Sequence, residues 1–272
     1  RNPNLQNIPI RSELGREIRS CFVSAPGHVL VAADYSQIEL RILAHISGDP
    51  RLVHAFRSGA DIHTETAAAI FGVPPAEVSP EMRARAKTVN FAVLYGQGPV
   101  ALGKQLGISR EEAAAFIENY FRALPGVRRY IDEITATARA QGYVETLLGR
   151  KRPLPEIASS DGRLASYAER AAVNTPIQGT AADIIKLAMI ALEPRLQAET
   201  PRSHMLLQVH DELVVEAPEG ETEKVVALLR DGMESAYELN VPLVVDVAVG
   251  TNWRDLQTVS EAVTDAPSNQ EP

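Results

Sequence analysis

Two aspartates occupy positions where an acid is costly unless it has work to do. In "MLLQVHDELVVEA" (Met205 to Ala217) apolar residues flank His210, Asp211 and Glu212. As one extended strand of period two, Leu207, Val209, Asp211, Leu213 and Val215 share a face. An unpaired carboxylate on such a surface would normally protonate. Either the chain turns at His210–Asp211, or a cation sits against the acid. Asp34, in "HVLVAADYSQIEL", stands at the exit of a buried strand and before a helix. Two carboxylates from separate strands suit hard, oxygen-seeking cations and the in-line phosphoryl transfer that a pair of such ions catalyses. A metal nuclease or phosphatase fits the pair equally well. Helix-entry chemistry is the plainer reading of "DYSQIE", because Ser36 and Glu39 have capping-box spacing.

A second set of residues narrows the chemistry. Arg83, Lys87, Phe91 and Tyr95 fall at successive i+4 steps. Each step turns about 40° past a full circle, so the four form a slanted stripe on one helix. Two cations followed by two aromatics suit a triphosphate and then a base or sugar. The plainer alternative is an amphipathic helix with core aromatics and snorkelling cations.

The elements that must hold these residues alternate irregularly. Val29–Ala33 reads as a buried strand, followed by a helix with Ile38, Ile42, Leu43 and Ile46 and a stop at Gly48. "DIHTETAAAIFGV" is a short helix. Ser79 caps a helix that has Pro80 at its first position and ends near Gly96. Ser109 and Glu112 form a capping box. A helix follows Pro125–Gly126, and "YVETLLGRKRPL" is a basic hairpin around Gly149. Helices over Arg163–Val173 and Ile177–Leu196 are separated at Asn174–Pro176. A helix within Glu221–Tyr237 and a strand, "PLVVDVAVG", complete the pattern. Strand–helix, a run of helices, then strand, helix and strand predicts an α+β fold whose sheet is interrupted by a helical insertion.

The bulk properties set limits. With 272 residues, 45% of them hydrophobic, the chain can build one large domain or two small ones. No stretch approaches the roughly 18 apolar residues needed to span a bilayer, and no secretory leader is visible. Cys21 is the single cysteine, which excludes an internal disulfide framework and fits a reducing compartment. A net charge of −8 argues at first against nucleic acid. Basic residues nevertheless cluster at Arg128–Arg129, at Gly149–Pro153 and at Arg83, Arg85 and Lys87. The opening "RNPNLQNIP", without an initiator Met, reads as a fragment or processed piece, and the acidic end as a solvated tail.

"DYSQIELR" (Asp34 to Arg41), "RARAKTVNFAVLYG" (Arg83 to Gly96) and "QVHDE" (Gln208 to Glu212) occur in that order. They resemble the three signature motifs of the family A DNA polymerases, the bacterial DNA polymerase I group. "PNLQNIPIR", "DIHTETA" and "NTPIQGTAADIIKLAM" support the resemblance, which covers residues 2 to 256. It implies a right-hand architecture: an antiparallel palm sheet (residues 1–60 and 160–256), helical fingers (61–159), no thumb, and a disordered tail (257–272). It implies a DNA-templated DNA polymerase that joins deoxynucleotides to a primer 3′-hydroxyl and releases pyrophosphate. Asp34, Asp211 and the Tyr35 carbonyl would hold two Mg²⁺ ions, with Mn²⁺ as a substitute, and Glu212 would be a supporting acid. Arg83 and Lys87 would grip the triphosphate, with Lys87 also able to protonate the leaving group. Phe91, Tyr95, Glu39, Gln37 and His63 would complete the nucleotide site: Phe91 on sugar and base, Tyr95 at the templating position, Glu39 gating the 2′ position and His63 touching phosphate. A satisfied packing histidine is the alternative for His63. Asn4, Gln6, Asn7, Arg11, Arg170, Asn174, Gln178 and His210 would meet the primer–template, where amides can test minor-groove acceptors placed alike in every base pair.

The resemblance further implies a monomer in the bacterial cytoplasm, associated with the nucleoid and not with a membrane, and thumb and exonuclease-like domains upstream in the parent chain. The sequence departs from the family pattern at Ala92, usually Gly, and at "YGQG", usually "YGMS". Two rival functions stand beside polymerisation: a two-metal phosphodiesterase or nuclease on the same acids, and a DNA-binding fragment inactive without its thumb.

Overall fold

The computed structural model describes residues 8–9 and 12–259. It is an α+β structure with a five-stranded, wholly antiparallel sheet in the order β4-β5-β1-β6-β7. The strands are β1 (His28–Tyr35), β4 (His204–Val209), β5 (Glu212–Pro218), β6 (Val245–Gly250) and β7 (Gln257–Thr258). Packing divides the chain into two compact units.

The first unit takes in the described residues of Arg1–Ser36, Ala188–Ser235 and Val244–Pro272. Alternation sorts its sheet into two faces. Val31, Ala33, Tyr35, Leu213, Val215 and Val247 are buried on the side of helix α10 (Thr222–Glu234). The Tyr35 hydroxyl donates to the Met233 carbonyl at 2.6 Å, locking the end of β1 to that helix. On the other face Leu30, Ala32 and Val214 pack with Val209 and Trp253, and Phe22 leans on the cluster. Helix α1 (Glu13–Ser20) supplies Arg19, whose guanidinium lies 4.0 Å from the Trp253 ring centroid.

The second unit takes in Gln37–Leu187 and Ala236–Leu243. It holds α2 (Ile38–Ser47), α3 (Pro50–Arg57), α4 (Ile62–Phe71), α5 (Pro80–Leu94), α6 (Pro99–Leu106), α7 (Arg110–Ala123), α8 (Pro125–Gln141) and the hairpin β2 (Tyr143–Glu145) and β3 (Lys151–Pro153). The capping signals act as expected. Ser79 accepts from Met82 N, and Ser109 and Glu112 cap reciprocally. Asp49, fully buried, caps α3 through one oxygen and accepts from Gly126 N at 2.9 Å through the other. A Cβ on Gly126 would lie 2.8 Å from Asp49 Cα, so only glycine lets α8 begin there.

Three expectations need correction. Asn174–Pro176 does not separate two helices: α9 runs unbroken over Gly162–Glu199. Proline removes one backbone donor, but Thr175 Oγ1 back-bonds to the Ala171 carbonyl at 2.6 Å. Buried Ala172, Val173, Ile177, Ile184 and Ile185 hold both sides of Pro176 in place. Gln257 and Thr258, expected in a tail, instead pair with Val249 and Ala248 of β6; residues 260–272 lie outside the described residues. Ser36 is not the N-cap residue of α2. That helix begins after Gln37, whose φ of 56° is left-handed and whose side chain makes no capping bond. Contacts separate the two units after Ser36 and after Leu187. Residues 38–57 pack with the helices that follow them, α2 on α8 and α3 on α4.

Candidate active site

In the first unit the sequence builds an acidic edge from strand register. β4 and β5 form a hairpin whose turn is His210–Asp211, with Val209 opposite Glu212. His210 has φ 55°, one of two non-glycine residues in the left-handed region among those described. Gln208 Nε2 donates to its carbonyl at 2.6 Å, tying the turn to β4. The chain therefore turns at His210–Asp211, and Asp211 is not a core residue of a continuous strand. Tyr35 N donates to the Asp211 carbonyl at 3.2 Å, which brings the turn beside the end of β1.

There the Asp34 and Asp211 carboxyls lie close enough to perturb each other's ionisation. Asp34 is exposed, yet desolvation by surrounding protein atoms is the main reason its carboxyl is raised to about 7. The negative charges of Asp211, Glu212 and Asp246 push in the same direction. Asp211 is raised as well, chiefly by desolvation. Register explains the crowding: Asp34 on β1 lies opposite Glu212 on β5 and Asp246 on β6. Like charges directly across a sheet repel, so this row is electrostatically unfinished without a cation or a proton.

The donor set suits a hard cation. Asp34 and Asp211 offer oxygen ligands, which Mg²⁺ prefers, and Mg²⁺ commonly binds through one or two carboxylates plus phosphate and water. Among the described residues no group of three or more His, Cys, Asp or Glu side chains could hold a metal by itself. A cation at this pair would draw its other ligands from solvent or substrate. Glu212 is also raised by desolvation, but its carboxylate has partners of its own: Trp253 Nε1 donates to it at 3.3 Å, and Arg19 acts on it electrostatically.

In the second unit the stripe lies on the solvent side of α5. The buried face of that helix is Ala86, Val89, Asn90, Ala92, Val93 and Leu94. Arg83 and Lys87 are exposed, while Phe91 and Tyr95 are half-buried. The two rings stack, with centroids 6.2 Å apart and planes 21° from parallel. Neither ring is fully buried in the core. Ala92 belongs to the packed face, so its methyl is core. Arg83 forms a forked ion pair with Asp61, at 2.6 and 3.1 Å, and Asp61 also caps α4 through Thr64 N. The Asp61 carboxyl is held well below the usual range, first by Arg83. The Tyr95 hydroxyl donates to Glu39 at 2.9 Å.

His63 is buried, and Asn90 Nδ2 lies 3.1 Å from its Nδ1. Burial, ahead of the charges of Lys87 and Arg83, lowers its imidazole to about 4, against a smaller opposing pull from Asp61. At neutral pH it is a neutral ring beside Phe91, 6.1 Å between centroids. Gln37 has its Oε1 buried without a hydrogen-bond partner.

Of the residues implied to meet DNA, Asn4, Gln6, Asn7 and Arg11 lie outside the described residues. Arg170, Asn174 and Gln178 follow one another at i+4 on α9 and share a face. The Arg170 stem packs on Gly96, where a Cβ would approach Arg170 Cγ to 2.9 Å. Asn174 keeps a buried Oδ1 without a partner, and His210 is exposed at its turn. Sequence reasoning misses Asp246, Arg19 and Trp253. The alternation of "PLVVDVAVG" marks Asp246 as the odd residue of its strand, but nothing local pairs it with Asp34.

One unit thus carries a row of acids at the end of β1, and the other a helix with cations and stacked rings. The chain belongs to DNA polymerase family A, whose family model matches residues 1–255. It is 55% identical over 252 residues to the thermostable DNA polymerase I of Thermus filiformis, covering 93% of this chain and 30% of that protein. It is 56% identical over 254 residues to DNA polymerase I of Deinococcus radiodurans, covering 93% and 26%. The chain thus spans about a third or less of these relatives' length. Among solved structures it is similar to the POL domain of Pol1 from M. smegmatis, solved with DNA primer-template and dNTP. The TM-score is 0.89 at 49% identity, over 93% of this chain and 45% of that one.

Proposed function

We propose that the chain is the palm and fingers of a DNA-templated DNA polymerase, the first unit carrying the palm acids and the second the fingers. The observation that carries this reading is the stripe on α5, two exposed cations leading to two stacked rings, in a chain that also pairs Asp34 with Asp211. A phosphodiesterase needs the acids but has no use for such a stripe. The relatives' names and the nucleotide-bound POL domain support the same reading.

Asp34, Asp211 and the Tyr35 carbonyl would hold two Mg²⁺ ions, which when bound supply an acidified hydroxyl and neutralise phosphate charge. Arg83 leaves Asp61 for the triphosphate, exchanging one bidentate anion for another. Lys87 is exposed and donates a proton to the departing pyrophosphate; the primer 3′-hydroxyl gives up its own proton to solvent and bonds to the α-phosphorus as the bond to the bridging α–β oxygen breaks. Phe91 packs on the sugar and base; Tyr95, held by Glu39, stacks where the template base arrives, and Glu39 closes the 2′ side. Gln37 borders this pocket. Arg170, Asn174 and Gln178 track the duplex with Asn4, Gln6, Asn7, Arg11 and His210. His63, neutral and bonded to Asn90, meets phosphate as a hydrogen-bond donor and not as a charge.

Primer extension with Mg²⁺ and four deoxynucleotides tests the reading, with Asp211→Ala as the matched control. Template-directed addition that vanishes in the control is expected. Release of labelled DNA without nucleotides would favour the phosphodiesterase, and template binding without addition the inactive fragment.

A further inference from the structure

Glu212 stands in the row of acids but is turned to other partners. It shares a hydrogen bond with neither Asp34 nor Asp211; its Oε1 accepts from the indole of Trp253 at 3.3 Å. That indole is fixed from several sides. Trp253 N donates to the Phe22 carbonyl at 3.0 Å, and the neighbouring Asn252 bridges to Val23. Phe22 meets the indole edge-on, with centroids 5.5 Å apart and planes at 79°, and Arg19 covers its face at 4.0 Å. Trp253 is 2% exposed and Arg19 8%, with Arg19 Nε buried and lacking a hydrogen-bond partner. An arginine buried this way costs free energy unless a negative charge accompanies it, and Glu212 is the acid on which it acts.

We infer that Trp253, backed by Arg19, is a positioning residue that holds the Glu212 carboxylate out of the Asp34–Asp211 pair, so that the cation site works with two carboxylates and Glu212 is a restrained third. Cross-strand neighbours bring Glu212 within reach of Asp34; the indole N–H and the guanidinium, not distance, keep it aside. The restraint sets ligand charge at the site. A third carboxylate would bind a divalent cation more tightly, at the expense of the coordination positions that phosphate and hydroxyl must take. The inference rests on reading Asp34 and Asp211 as the cation-holding pair.

The test is Mn²⁺ binding to the 272-residue chain without nucleotide, read from the loss of the free-ion magnetic resonance signal. Trp253→Phe keeps a ring for Phe22 and Arg19 but removes the N–H. It should tighten Mn²⁺ binding by about five- to tenfold through the added carboxylate. Glu212→Gln in that background should return affinity to the parental value. An unchanged or weaker affinity in Trp253→Phe, or a gain that persists in the double variant, would overturn the inference. Should Trp253→Phe fold poorly, Glu212→Gln alone decides. It should leave Mn²⁺ affinity within about twofold while shifting the emission of the chain's single tryptophan. A tenfold loss would make Glu212 a direct ligand and sink the idea. Asp34→Asn separates the underlying reading: if it leaves Mn²⁺ affinity intact, the cation pair itself is wrong, whatever Trp253 does.

Discussion

The acidic edge and the cationic helix solve opposite electrostatic problems. At the helix most groups are settled in advance: Arg83 is paired with Asp61, the Tyr95 hydroxyl with Glu39, and His63 of α4 is neutral against Asn90, while Lys87 is exposed. On the edge, Asp34 faces Glu212 and Asp246 across the sheet and feels the charge of Asp211 beside it, so like charges are stacked and unresolved. If a triphosphate docks as proposed, the helix would release its partners one at a time. The edge has nothing to release and gains only when something positive is added. A preorganised, unsatisfied acid pair should therefore respond to substitution in an all-or-none way, and the pre-paired helix in graded steps.

The largest expected effect tests the edge. Asp34→Asn or Asp211→Asn should lower nucleotide addition by about a thousandfold or more, because two-metal phosphoryl transfer tolerates loss of neither ligand. Thermal unfolding measured alongside should show no loss of stability, since a repulsive charge has been removed. A residual rate above a tenth of the parent would break the contrast. On the helix, Lys87→Ala should cost about a hundredfold in rate, the scale of general-acid catalysis. Arg83→Ala should act mainly on nucleotide affinity, by about tenfold, because Lys87 remains. Steady-state kinetics separate the two.

The third prediction concerns pH. The Asp34 carboxyl is raised to about 7, against an unfolded value near 4. Between those values the folded chain binds more protons than the unfolded one, so stability without cations should fall as pH rises from about 4 to about 7, then level off. Saturating Mg²⁺, which favours the ionised carboxylate, should flatten the slope. Urea midpoints at about pH 5 and about pH 8, with chelator or with Mg²⁺, check both statements. The smallest effect expected is at Phe91. Phe91→Tyr adds one hydroxyl to a half-buried ring and should raise the ratio of dideoxy- to deoxynucleotide incorporation while leaving deoxynucleotide addition within a few-fold. Single-nucleotide insertion measures it.

How much of this is legible in sequence follows from what is local. Ser79 and Ser109 with Glu112 announce themselves within four residues, and both form; the turn at His210–Asp211, one of two alternatives the sequence left open, is what the chain makes. The stripe is visible as spacing, though only packing of Ala86, Val89 and Val93 shows that it faces outward. The expected break in α9 fails because proline's local cost is legible, whereas the burial that outweighs it comes from distant elements. Asp246 opposite Asp34, and Trp253 against Glu212, depend on strand register between segments 41 or more residues apart. No window along the chain contains that information.

Because β1 is flanked on both sides, the chemistry at its end is a matter of parity. Residues 34, 212 and 246 meet on one surface only while each strand keeps its count, and Tyr35 takes the opposite surface to grip α10. Adding a single residue inside β1 would exchange those roles, sending the tyrosine to solvent and the aspartate into the packed layer. Lengthening or shortening of these strands is thus confined to steps of two, and even those shift the acid by about 6.6 Å. Loops elsewhere can drift in length; this edge cannot.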